Sequence, residues 1–505
     1  MTVDLNLSMF RAYDIRTPAD ALSLENAERL ARAEAKYFRE QLGTSKIVLS
    51  RDARLSGPRY LEVGVRVFEE CGFEVLFNHR VSSTCLFYYS CMRHPDAAGI
   101  IYGASHNPSA DTGQKIVGPN LQPIADGVGK NGGLQEIRRI YETDDSHATT
   151  NDGSVRVVDY FEDYVSYSMN LAGVSAGDLD GCKILQEFLS GAAGPEFVTA
   201  FERAGASIKA RNVIPDGHFP LGAPNPVKQE VIAPGLEVLR NGDFHFGMFF
   251  DGDGDRLDLL TPAGDQLGPG FNFAAILGEL RQVFPQCDTP RVYADLKANP
   301  LAVMRMAQSG LGVHVIRNGH SQIKEALRQN WPRQMLGAVE ESAHYYLNFP
   351  LDGETYPTEN TLFYGLLSAK HWFQNPGLYA ELIELQDATF REREWGYYFP
   401  ADESRASALD HIEREFVSRG GSSMDRTEDG MDMEATLIRI GLPFVVDAST
   451  AVPDDWIQIA QRISQSENGL ARWEVTASTA ALRDEAVQTI DSLVKEYGAG
   501  EKYVG

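Results

Sequence analysis

Apolar residues along the chain repeat one pattern three times, at residues 46–77, 183–210 and 291–317. Each copy has a short apolar run, a segment with apolar residues at every third or fourth position, a glycine and a second apolar run. Short, partly β-branched runs predict strands, and the 3.6-residue spacing predicts amphipathic helices. A glycine after each helix fits a left-handed C-cap. The three copies therefore predict βαβ units with right-handed crossovers.

The last part of the chain follows a different pattern. Strands are predicted at 435–440, 444–449 and 473–478, helices at 454–466 and 483–497, and a mobile loop or surface helix at 404–430. We therefore expect an α/β fold with three similar mixed α/β domains of βαβ units and a C-terminal α+β domain, around a central active-site cleft. The predicted domains are residues 1–150, 151–258, 259–372 and 373–505.

Composition restricts the classes of partner. The formal net charge of −25 repels nucleic acid and acidic membranes, and a phosphorylated ligand would need a local concentration of Arg and Lys. No apolar run approaches the roughly 18 residues of a membrane helix, and the first ten residues do not resemble a signal peptide. We expect a cytoplasmic protein. The five scattered cysteines include no CxxC pair, which argues against a disulfide scaffold and a zinc site.

Three aspartates alternate with two glycines directly after the apolar run 246–250; they are Asp251, Asp253 and Asp255. Alternate carboxylates on a near-extended backbone point the same way, and they repel one another unless a cation lies between them. Hard oxygen ligands select Mg²⁺ or Ca²⁺. An EF-hand is excluded because its glycine and glutamate positions hold Arg256 and Pro262. A solvated Asp/Gly turn remains the alternative.

Ser105 follows the apolar run 97–103, at the end of a predicted strand, where ligand crevices open in α/β sheets. The sequence around it lacks the G-x-S-x-G elbow of hydrolases, so an acyl-enzyme serine is disfavoured. Taken alone, Ser105 could equally be a helix-capping residue, and Asn107-Pro108 could be only a turn.

Four motifs occur in a fixed order: FRAYDIR (10–16), ASHNP (104–108), DGDGDR (251–256) and RNGH (317–320). Gly113 and Lys115 match a Gly-x-Lys beyond the serine, Lys297 lies in ADLK, and PDGHFP (215–220) matches a further stretch. Together these motifs resemble the α-D-phosphohexomutase family, specifically its phosphomannomutase/phosphoglucomutase branch, over roughly residues 9 to 370.

The resemblance implies an intramolecular phosphotransferase that interconverts hexose 1-phosphate and hexose 6-phosphate, of mannose or glucose, through a phosphoserine and a bisphosphate intermediate. Ser105 would carry the phosphoryl group, and Ser105, Asp251, Asp253 and Asp255 would hold Mg²⁺, which offsets the phosphate charge. Lys115 would be the general acid/base, with a pKa lowered by a neighbouring arginine and the ion. Arg16 and His106 would assist charge neutralisation.

The resemblance also implies the substrate contacts. EESAH (340–344) is similar to the family's Gly-Glu-x-Ser-Gly-His sugar loop, in which the Glu and Ser bind sugar hydroxyls. The implied substrate-binding residues are Tyr13, Arg256, Lys297, Gly319, His320, Glu340, Ser342, Ser478 and Thr479.

The sequence departs from the family pattern in two loops. Val339 and Ala343 replace the glycines of the sugar loop. A Cβ at residue 343 restricts the φ and ψ angles that the backbone can adopt there. The C-terminal phosphate loop of the family resembles Arg-x-Ser-Asn-Thr, whereas this chain has Thr476 in place of the Arg and lacks the Asn. An arginine side chain with its forked donors is a strong anchor for phosphate. Without it, the sequence does not indicate which residues bind the distal phosphate.

Three functions stay open at this point. The chain could be the mutase described, as a monomer or a homodimer acting on a phosphorylated hexose. It could form a sugar bisphosphate or act on an unusual sugar phosphate. It could also be a catalytically silent paralogue that binds sugar phosphate; Ser105, Lys115 and the three aspartates argue against this, because clustered charge is costly in an idle site.

Overall fold

The structure is a computed structural model that describes residues 5–143, 152–464 and 469–504. Its residues form two compact units. The first unit contains the chain up to Leu267 together with His320–Gln329 and Ala343–Gln374. The second contains Gly268–Gly319, Asn330–Ser342 and the chain from Asn375 onwards. The domain boundary expected at 150/151 lies outside the described residues, and the four-domain division stays a prediction.

The strands of the described residues are, in chain order, β1 (Ile15–Pro18), β2 (Lys46–Arg51), β3 (Glu74–Val81), β4 (Ala98–Tyr102), β5 (Asp111–Gly118), β6 (Gln122–Ile124), β7 (Ser154–Val157), β8 (Lys183–Glu187), β9 (Ser207–Arg211), β10 (Phe246–Phe250), β11 (Leu257–Leu260), β12 (Gln266–Leu267), β13 (Arg291–Asp295), β14 (Gly312–Ile316), β15 (Met335–Glu340), β16 (His344–Leu351), β17 (Glu354–Glu359), β18 (Phe390–Tyr398), β19 (Ser422–Arg426), β20 (Asp432–Ile440), β21 (Ile457–Ile463), β22 (Leu470–Ala477) and β23 (Lys502–Val504).

The α-helices of the same residues are α1 (Leu24–Leu42), α2 (Gly57–Glu70), α3 (Thr84–Met92), α4 (Leu134–Thr143), α5 (Phe161–Leu171), α6 (Gly194–Arg203), α7 (Gln229–Asn241), α8 (Pro269–Val283), α9 (Pro300–Gln308), α10 (His320–Asn330), α11 (Thr361–Gln374), α12 (Pro376–Asp387), α13 (Asp402–Ser418) and α14 (Ala480–Glu496). Short 3₁₀ helices lie at Leu7–Met9, Ala19–Ala21, Pro119–Leu121, Lys130–Gly132 and Trp331–Arg333. Each described helix is too short or too polar to cross a bilayer.

Two mixed sheets and a hairpin form the first unit. The first sheet has the order β1-β5-β4-β2-β3-β7, with β6 on β5, and its β4, β2, β3 and β7 are parallel. The second sheet has the order β12-β11-β10-β8-β9, with parallel β10, β8 and β9. Strands β16 and β17 pair antiparallel. The loops after β4 and β10 therefore leave the carboxyl ends of parallel strands, the usual place for a ligand site.

The second unit combines a parallel sheet with an antiparallel one. Strands β14 and β15 flank β13 in parallel. The C-terminal sheet has the order β19-β20-β21-β22-β18-β23 and is antiparallel throughout. One face of this sheet packs under α13 and α14 around the buried side chains of Trp473, Val475 and Ile459. Alternation along β21 and β22 leaves the other face polar.

The predicted fold class is confirmed: all three βαβ units form, and Gly72, Gly205 and Gly310 adopt positive φ after their helices. Two predictions in the C-terminal domain are wrong. Of the predicted helix 454–466, the described residues 454–464 contain strand β21 (Ile457–Ile463) rather than a helix, because Ile457 and Ile459 alternate into the core and the strand is paired on both sides. Residues 444–449 form bends and turns rather than a strand. The segment 404–430 contributes most of α13, a surface helix, and then β19.

Candidate active site

The aspartate loop lies between β10 and β11 and is closed to solvent. Asp251, Asp253 and Asp255 are 1%, 3% and 1% exposed. Gly252 allows the close approach of the serine loop, since a Cβ built there would lie 2.5 Å from the Ser105 carbonyl oxygen. Gly254 has a φ of +70°, which glycine adopts without strain.

Ser105 lies directly against this loop. Its hydroxyl donates to Asp251 Oδ2 at 2.6 Å, and its Oγ is 3.2 Å from His106 Nδ1. Its φ of 46° is left-handed, which is uncommon for a residue with a side chain and marks backbone strain at a turn. The predicted contact between the serine loop and the aspartate loop is therefore present.

Lys115 reaches the same cluster from β5. Its ammonium donates to Asp253 Oδ2 at 2.6 Å and also to Asp255 Oδ2. Burial alone would lower the Lys115 pKa, but the charges of Asp253 and Asp255 outweigh it and raise the pKa well above its ordinary value. In this arrangement the lysine holds its proton. The expectation of a lowered Lys115 pKa concerns a lysine beside a bound ion, and it stays a prediction.

The cluster fits a divalent cation. The ligand atoms of the three aspartates lie within 4.8 Å of one another. Asp253 Oδ1 and Asp255 Oδ1 are buried and have no hydrogen-bond partner among the described residues. Unsatisfied buried carboxylate oxygens are costly, and a hard cation is the group that satisfies them. Lys115 brings one positive charge against three carboxylates, so the acidic group can hold a metal ion.

Asp253 is fixed by the start of α3. Thr84 Oγ1 donates to Asp253 Oδ2 at 2.6 Å, and the Thr84 backbone N–H donates to the Asp253 carbonyl oxygen at 2.9 Å. Burial favours the neutral acid, yet the Lys115 charge and these hydrogen bonds hold the Asp253 pKa well below its usual range. The Asp253 carboxylate, at the centre of the loop, is therefore ionised.

A buried arginine shapes the serine loop. Arg54 is 1% exposed and donates to the carbonyl oxygens of Ser105 at 2.9 Å, Asn107 at 2.7 Å and Asp111 at 3.0 Å. Asp52 accepts from the Arg54 Nε at 3.2 Å and from the Ala104 N–H at 3.1 Å. One planar guanidinium thus fixes several carbonyls that would otherwise lack partners.

Arg16 and His106 lie at the outer side of this loop. Arg16 donates from Nε to Asp14 at 2.7 Å and from Nη1 to Asn107 Oδ1 at 2.7 Å. Burial, then the charges of Arg256 and Arg16, hold the His106 pKa well below its ordinary value. His106 is therefore neutral at physiological pH, and Arg16 supplies the positive charge.

A second buried network supports Arg256. Arg256 Nε donates to His344 Nε2 at 3.1 Å, and His344 Nδ1 lies 2.7 Å from Glu359 Oε1. Glu359 Oε2 accepts from Lys324 Nζ at 3.0 Å, and Lys324 also donates to the Tyr88 hydroxyl at 2.8 Å. This chain of contacts fixes the direction of the Arg256 side chain beside the aspartate loop.

Tyr13 and His320 form a ring contact with centroids 6.0 Å apart. His320 Nε2 is buried without a hydrogen-bond partner in the described part of the chain. Burial, then the charges of Lys324 and Lys115, lower the His320 pKa well below its usual value. His320 therefore has a neutral imidazole, and its role in substrate binding stays a prediction.

The other predicted substrate contacts belong to the second unit. Asp295 and Glu340, at the ends of β13 and β15, both accept from the Asn318 side-chain amide, the latter at 3.2 Å. Lys297 follows Asp295, and the charges of Glu394, Glu474 and Asp295 overcome its burial and raise its pKa. The parallel sheet thus brings Lys297 and Glu340 to one edge with Asn318.

The sugar loop passes through Ser342 into Ala343. Ser342 is half-buried. Ala343 has a φ of +70°, a conformation in which a Cβ is strained, at the position where the family has glycine. Gly319, with a φ of +122°, precedes α10. Residues 319 and 343 thus both adopt positive φ, although residue 343 is an alanine.

Ser478 and Thr479 use their hydroxyls within their own domain. Ser478 Oγ accepts from the Trp456 N–H at 3.1 Å, and Thr479 Oγ1 caps α14 by accepting from the Leu482 N–H at 3.2 Å. Thr479 is the N-cap, so its hydroxyl satisfies a helix amide. Their role as phosphate ligands stays a prediction.

The sequence reasoning missed the supporting residues Asp52, Arg54, Thr84 and Glu359. Three of them follow the carboxyl ends of β2 and β3, the same edge of the sheet that presents Ser105. A search for polar residues just beyond every predicted parallel strand would have found these three. Glu359 gives no local signal, because its partners lie on other elements.

Two family models match the chain. The model described as "Phosphoglucomutase/phosphomannomutase, alpha/beta/alpha domain I" matches residues 7–147. The corresponding model of alpha/beta/alpha domain II matches residues 159–264. These ranges contain Ser105, Lys115 and the three aspartates.

Proteins with similar sequences are named phosphomannomutase or phosphoglucomutase. A phosphomannomutase of Escherichia coli K12 is 27% identical over 446 residues, which cover 85% of this chain and 90% of the relative. A phosphoglucomutase of Neisseria meningitidis serogroup A is 28% identical over 341 residues, covering 67% of this chain and 70% of the relative.

The fold has a solved counterpart in a phosphoglucomutase/phosphomannomutase family protein of Burkholderia thailandensis, with a TM-score of 0.78 at 20% identity, covering 98% of this chain and 99% of that one. With the ordered motifs, the two matched domain models and this fold agreeing, the chain belongs to the α-D-phosphohexomutase family.

Proposed function

We propose that this protein is a phosphohexomutase that interconverts hexose 1-phosphate and hexose 6-phosphate, with Ser105 as the phosphoryl carrier. The observation that carries the proposal is the 2.6 Å hydrogen bond from the Ser105 hydroxyl to Asp251, beside two further buried carboxylates and Lys115. The names of the relatives, phosphoglucomutase and phosphomannomutase, agree with this reaction.

In this proposal Asp251, Asp253, Asp255 and Ser105 hold Mg²⁺. The oxygen-only ligand set favours a hard cation, and two carboxylate oxygens of the loop have no hydrogen-bond partner among the residues that the structure describes. Bound Mg²⁺ would supply charge neutralisation for the phosphate carried by Ser105. The protein's own part is to position the phosphoryl group, which is the main requirement of phosphoryl transfer.

Lys115 is proposed as the proton donor to the sugar oxygen. When Ser105 takes a phosphoryl group from the bisphosphate, the sugar P–O bond breaks, an Oγ–P bond forms, and the leaving oxygen gains a proton from Lys115. The Ser105 hydroxyl loses its proton to Asp251 Oδ2, the atom to which it donates a hydrogen bond at 2.6 Å. The Lys115 ammonium is positioned at the cluster by its hydrogen bonds to Asp253 and Asp255. The reverse transfer uses the same groups in the opposite sense.

Charge neutralisation and sugar contacts complete the proposal. Arg16 and Arg256 lie beside the serine and aspartate loops, and neutral His106 is 3.2 Å from Ser105 Oγ. We propose that Tyr13, His320, Lys297, Gly319, Glu340 and Ser342 bind the substrate, as the motif resemblance implies. The domain boundaries at residues 150, 258 and 372 belong to the same proposal.

The experiment combines intact mass with coupled assays. Purified protein is expected to carry one phosphate on Ser105 and to convert mannose 1-phosphate or glucose 1-phosphate. Ser105→Ala removes both the phosphate and the turnover, whereas Ser207→Ala, at an exposed serine of the same unit, changes neither. Full turnover of Ser105→Ala would refute the carrier role.

The metal assignment has a separate test. Asp253→Asn is expected to weaken Mg²⁺ binding in isothermal titration and to raise the Mg²⁺ concentration that half-maximal turnover requires. Activity that persists in excess chelator would exclude the proposed ion.

One observation favours a second candidate function. Ser478 and Thr479 bond within their own domain, and residue 476 is threonine rather than arginine. A mutase-fold enzyme that forms a sugar bisphosphate or takes an unusual sugar phosphate would need a different distal contact. Failure of both hexose 1-phosphates as substrates, with Ser105 still phosphorylated, would support this candidate.

A further inference from the structure

The second unit contains a cavity of about 240 Å³ at the amino-terminal ends of β13 and β15. Arg291 and Met335, the first residues of these strands, line it, and so do residues of the turn between β19 and β20. Asp295 and Glu340 occupy the opposite, carboxyl ends of the two strands, so the cavity lies away from those candidate sugar contacts. No proposed catalytic residue lines it.

Two arginines, Arg291 and Arg333, line this cavity. Neither Arg291 nor Arg333 forms an ion pair or a side-chain hydrogen bond within the described ranges. By contrast, Arg317 of the same unit pairs with Glu434 at 2.7 and 2.6 Å. Both unpaired guanidinium groups act on Tyr293, whose pKa is raised by burial and then by Asp429, and lowered in part by Arg333 and Arg291. Two cations therefore converge on one part of the cavity.

The same cavity is also lined by acceptors and by aromatic rings. Asn330 donates to the Tyr293 hydroxyl at 3.0 Å and to Asp429 at 3.0 Å. Glu428 pairs with His314, and the rings of His314 and Tyr293 contact each other with centroids 6.4 Å apart. Carboxylate and amide oxygens next to a ring are the groups that bind the hydroxyls of a small polar molecule.

We propose that this cavity is a second ligand site, which binds a small phosphate ester carrying hydroxyl groups. The phosphate would lie between Arg291 and Arg333, and the hydroxyls would meet Asn330, Asp429 and Glu428. Arginine is suited to this because its planar fork donates two parallel hydrogen bonds to a phosphate. The carboxylates select against a ligand that is anionic throughout, since like charges repel.

Binding there would join two parts of the second unit. Arg291 and Arg333 belong to the parallel sheet and its 3₁₀ turn, whereas Glu428 and Asp429 belong to the β19–β20 turn of the C-terminal sheet. A ligand that contacts both holds that turn against β13. The site would thus stabilise one arrangement of the C-terminal sheet on the parallel sheet by mass action.

Isothermal titration of the full chain with glucose 6-phosphate tests the site. We expect Arg291→Gln/Arg333→Gln to bind one molecule fewer than the unsubstituted protein. Arg281→Gln, at an exposed arginine of the same unit outside the cavity, should bind the same number. The measured quantity is the difference in bound molecules between the two proteins. It therefore reports on this cavity whether or not the ester also binds near Ser105. An unchanged number of bound molecules in the double variant would overturn the proposal.

Two further arms make the test specific. Arg333→Gln alone, at an exposed residue that the fold does not need, should weaken the second binding event at least tenfold; unchanged affinity would contradict the proposal. Inorganic phosphate should compete weakly with the ester at this site. If inorganic phosphate bound as tightly as glucose 6-phosphate, the role assigned to the hydroxyl contacts would be wrong.

Discussion

Glu196 gives the sharpest prediction about stability, because it is a carboxyl in the core of the first unit. It lies on α6, is 3% exposed, and burial raises its pKa from 4.5 to about 8, although a hydrogen bond with Ser83 opposes the rise. Between pH 4.5 and 8 the unfolded chain releases this proton and the folded chain keeps it. The free energy of unfolding should therefore fall as pH rises through this window and level off above pH 8.

The magnitude follows from the same rise in pKa. A tenfold change in proton affinity is worth about 1.4 kcal/mol, so the full rise sets an upper limit of about 5 kcal/mol. Relaxation and water entry around buried charges reduce such values, and we expect about 2 kcal/mol at pH 8. Glu196→Gln keeps the shape and cannot ionise. The variant should match the unsubstituted protein at pH 5 and be more stable by this amount at pH 8.

Urea unfolding between pH 5 and pH 9 measures the effect. Glu202→Gln, at an exposed position of the same helix, is the matched control and should follow the unsubstituted protein throughout. If the Glu196→Gln curve runs parallel to that of the unsubstituted protein at every pH, the carboxyl is ionised in the fold and the reasoning fails.

Three further predictions concern the site. Gly252→Ala places a methyl group 2.5 Å from the Ser105 carbonyl oxygen, so we expect a large loss of turnover and a loss of about 1–3 kcal/mol in unfolding free energy, measured by coupled assay and urea unfolding. Arg54→Lys removes the fork that fixes the serine loop and should cost about 1.5–3 kcal/mol; unchanged turnover would contradict its positioning role. Glu359→Gln leaves the Lys324 ammonium without its buried carboxylate and should lower the free energy of unfolding by about 3–5 kcal/mol. The double variant Glu359→Gln/Lys324→Met should lose less than Glu359→Gln alone, because it leaves no unpaired charge. If the double variant lost at least as much unfolding free energy as Glu359→Gln and Lys324→Met together, the two charges would not be coupled.

The βαβ units could be predicted because each is encoded within about 30 residues by periodicity and a terminal glycine. The strands of the C-terminal sheet were harder to predict from the sequence. Segment 454–466 has both alternating and helical apolar spacing, and its pairing with β20 and β22 decides for a strand. Propensity is weak evidence where strand pairing supplies the stabilising contacts.

The reactive groups could be predicted, but their supports could not. Ser105 and Asp251 appear in separate motifs 146 positions apart, and only the family resemblance relates them. The contact of Lys324 with Tyr88 spans 236 positions and has no motif. The direction of the Lys115 pKa was also beyond the sequence, because it depends on which carboxylates its ammonium reaches in three dimensions.

The first unit is not continuous in sequence, and this restricts how the gene can be divided. A fragment that stops after Leu267 would contain both matched family domains but lack α10 and the β16–β17 hairpin. Lys324, His344 and Glu359 would be missing, so Arg256 would lose its support. A shortened chain that is to keep the whole first unit therefore has to extend to Gln374 and cannot stop at the apparent end of the second domain.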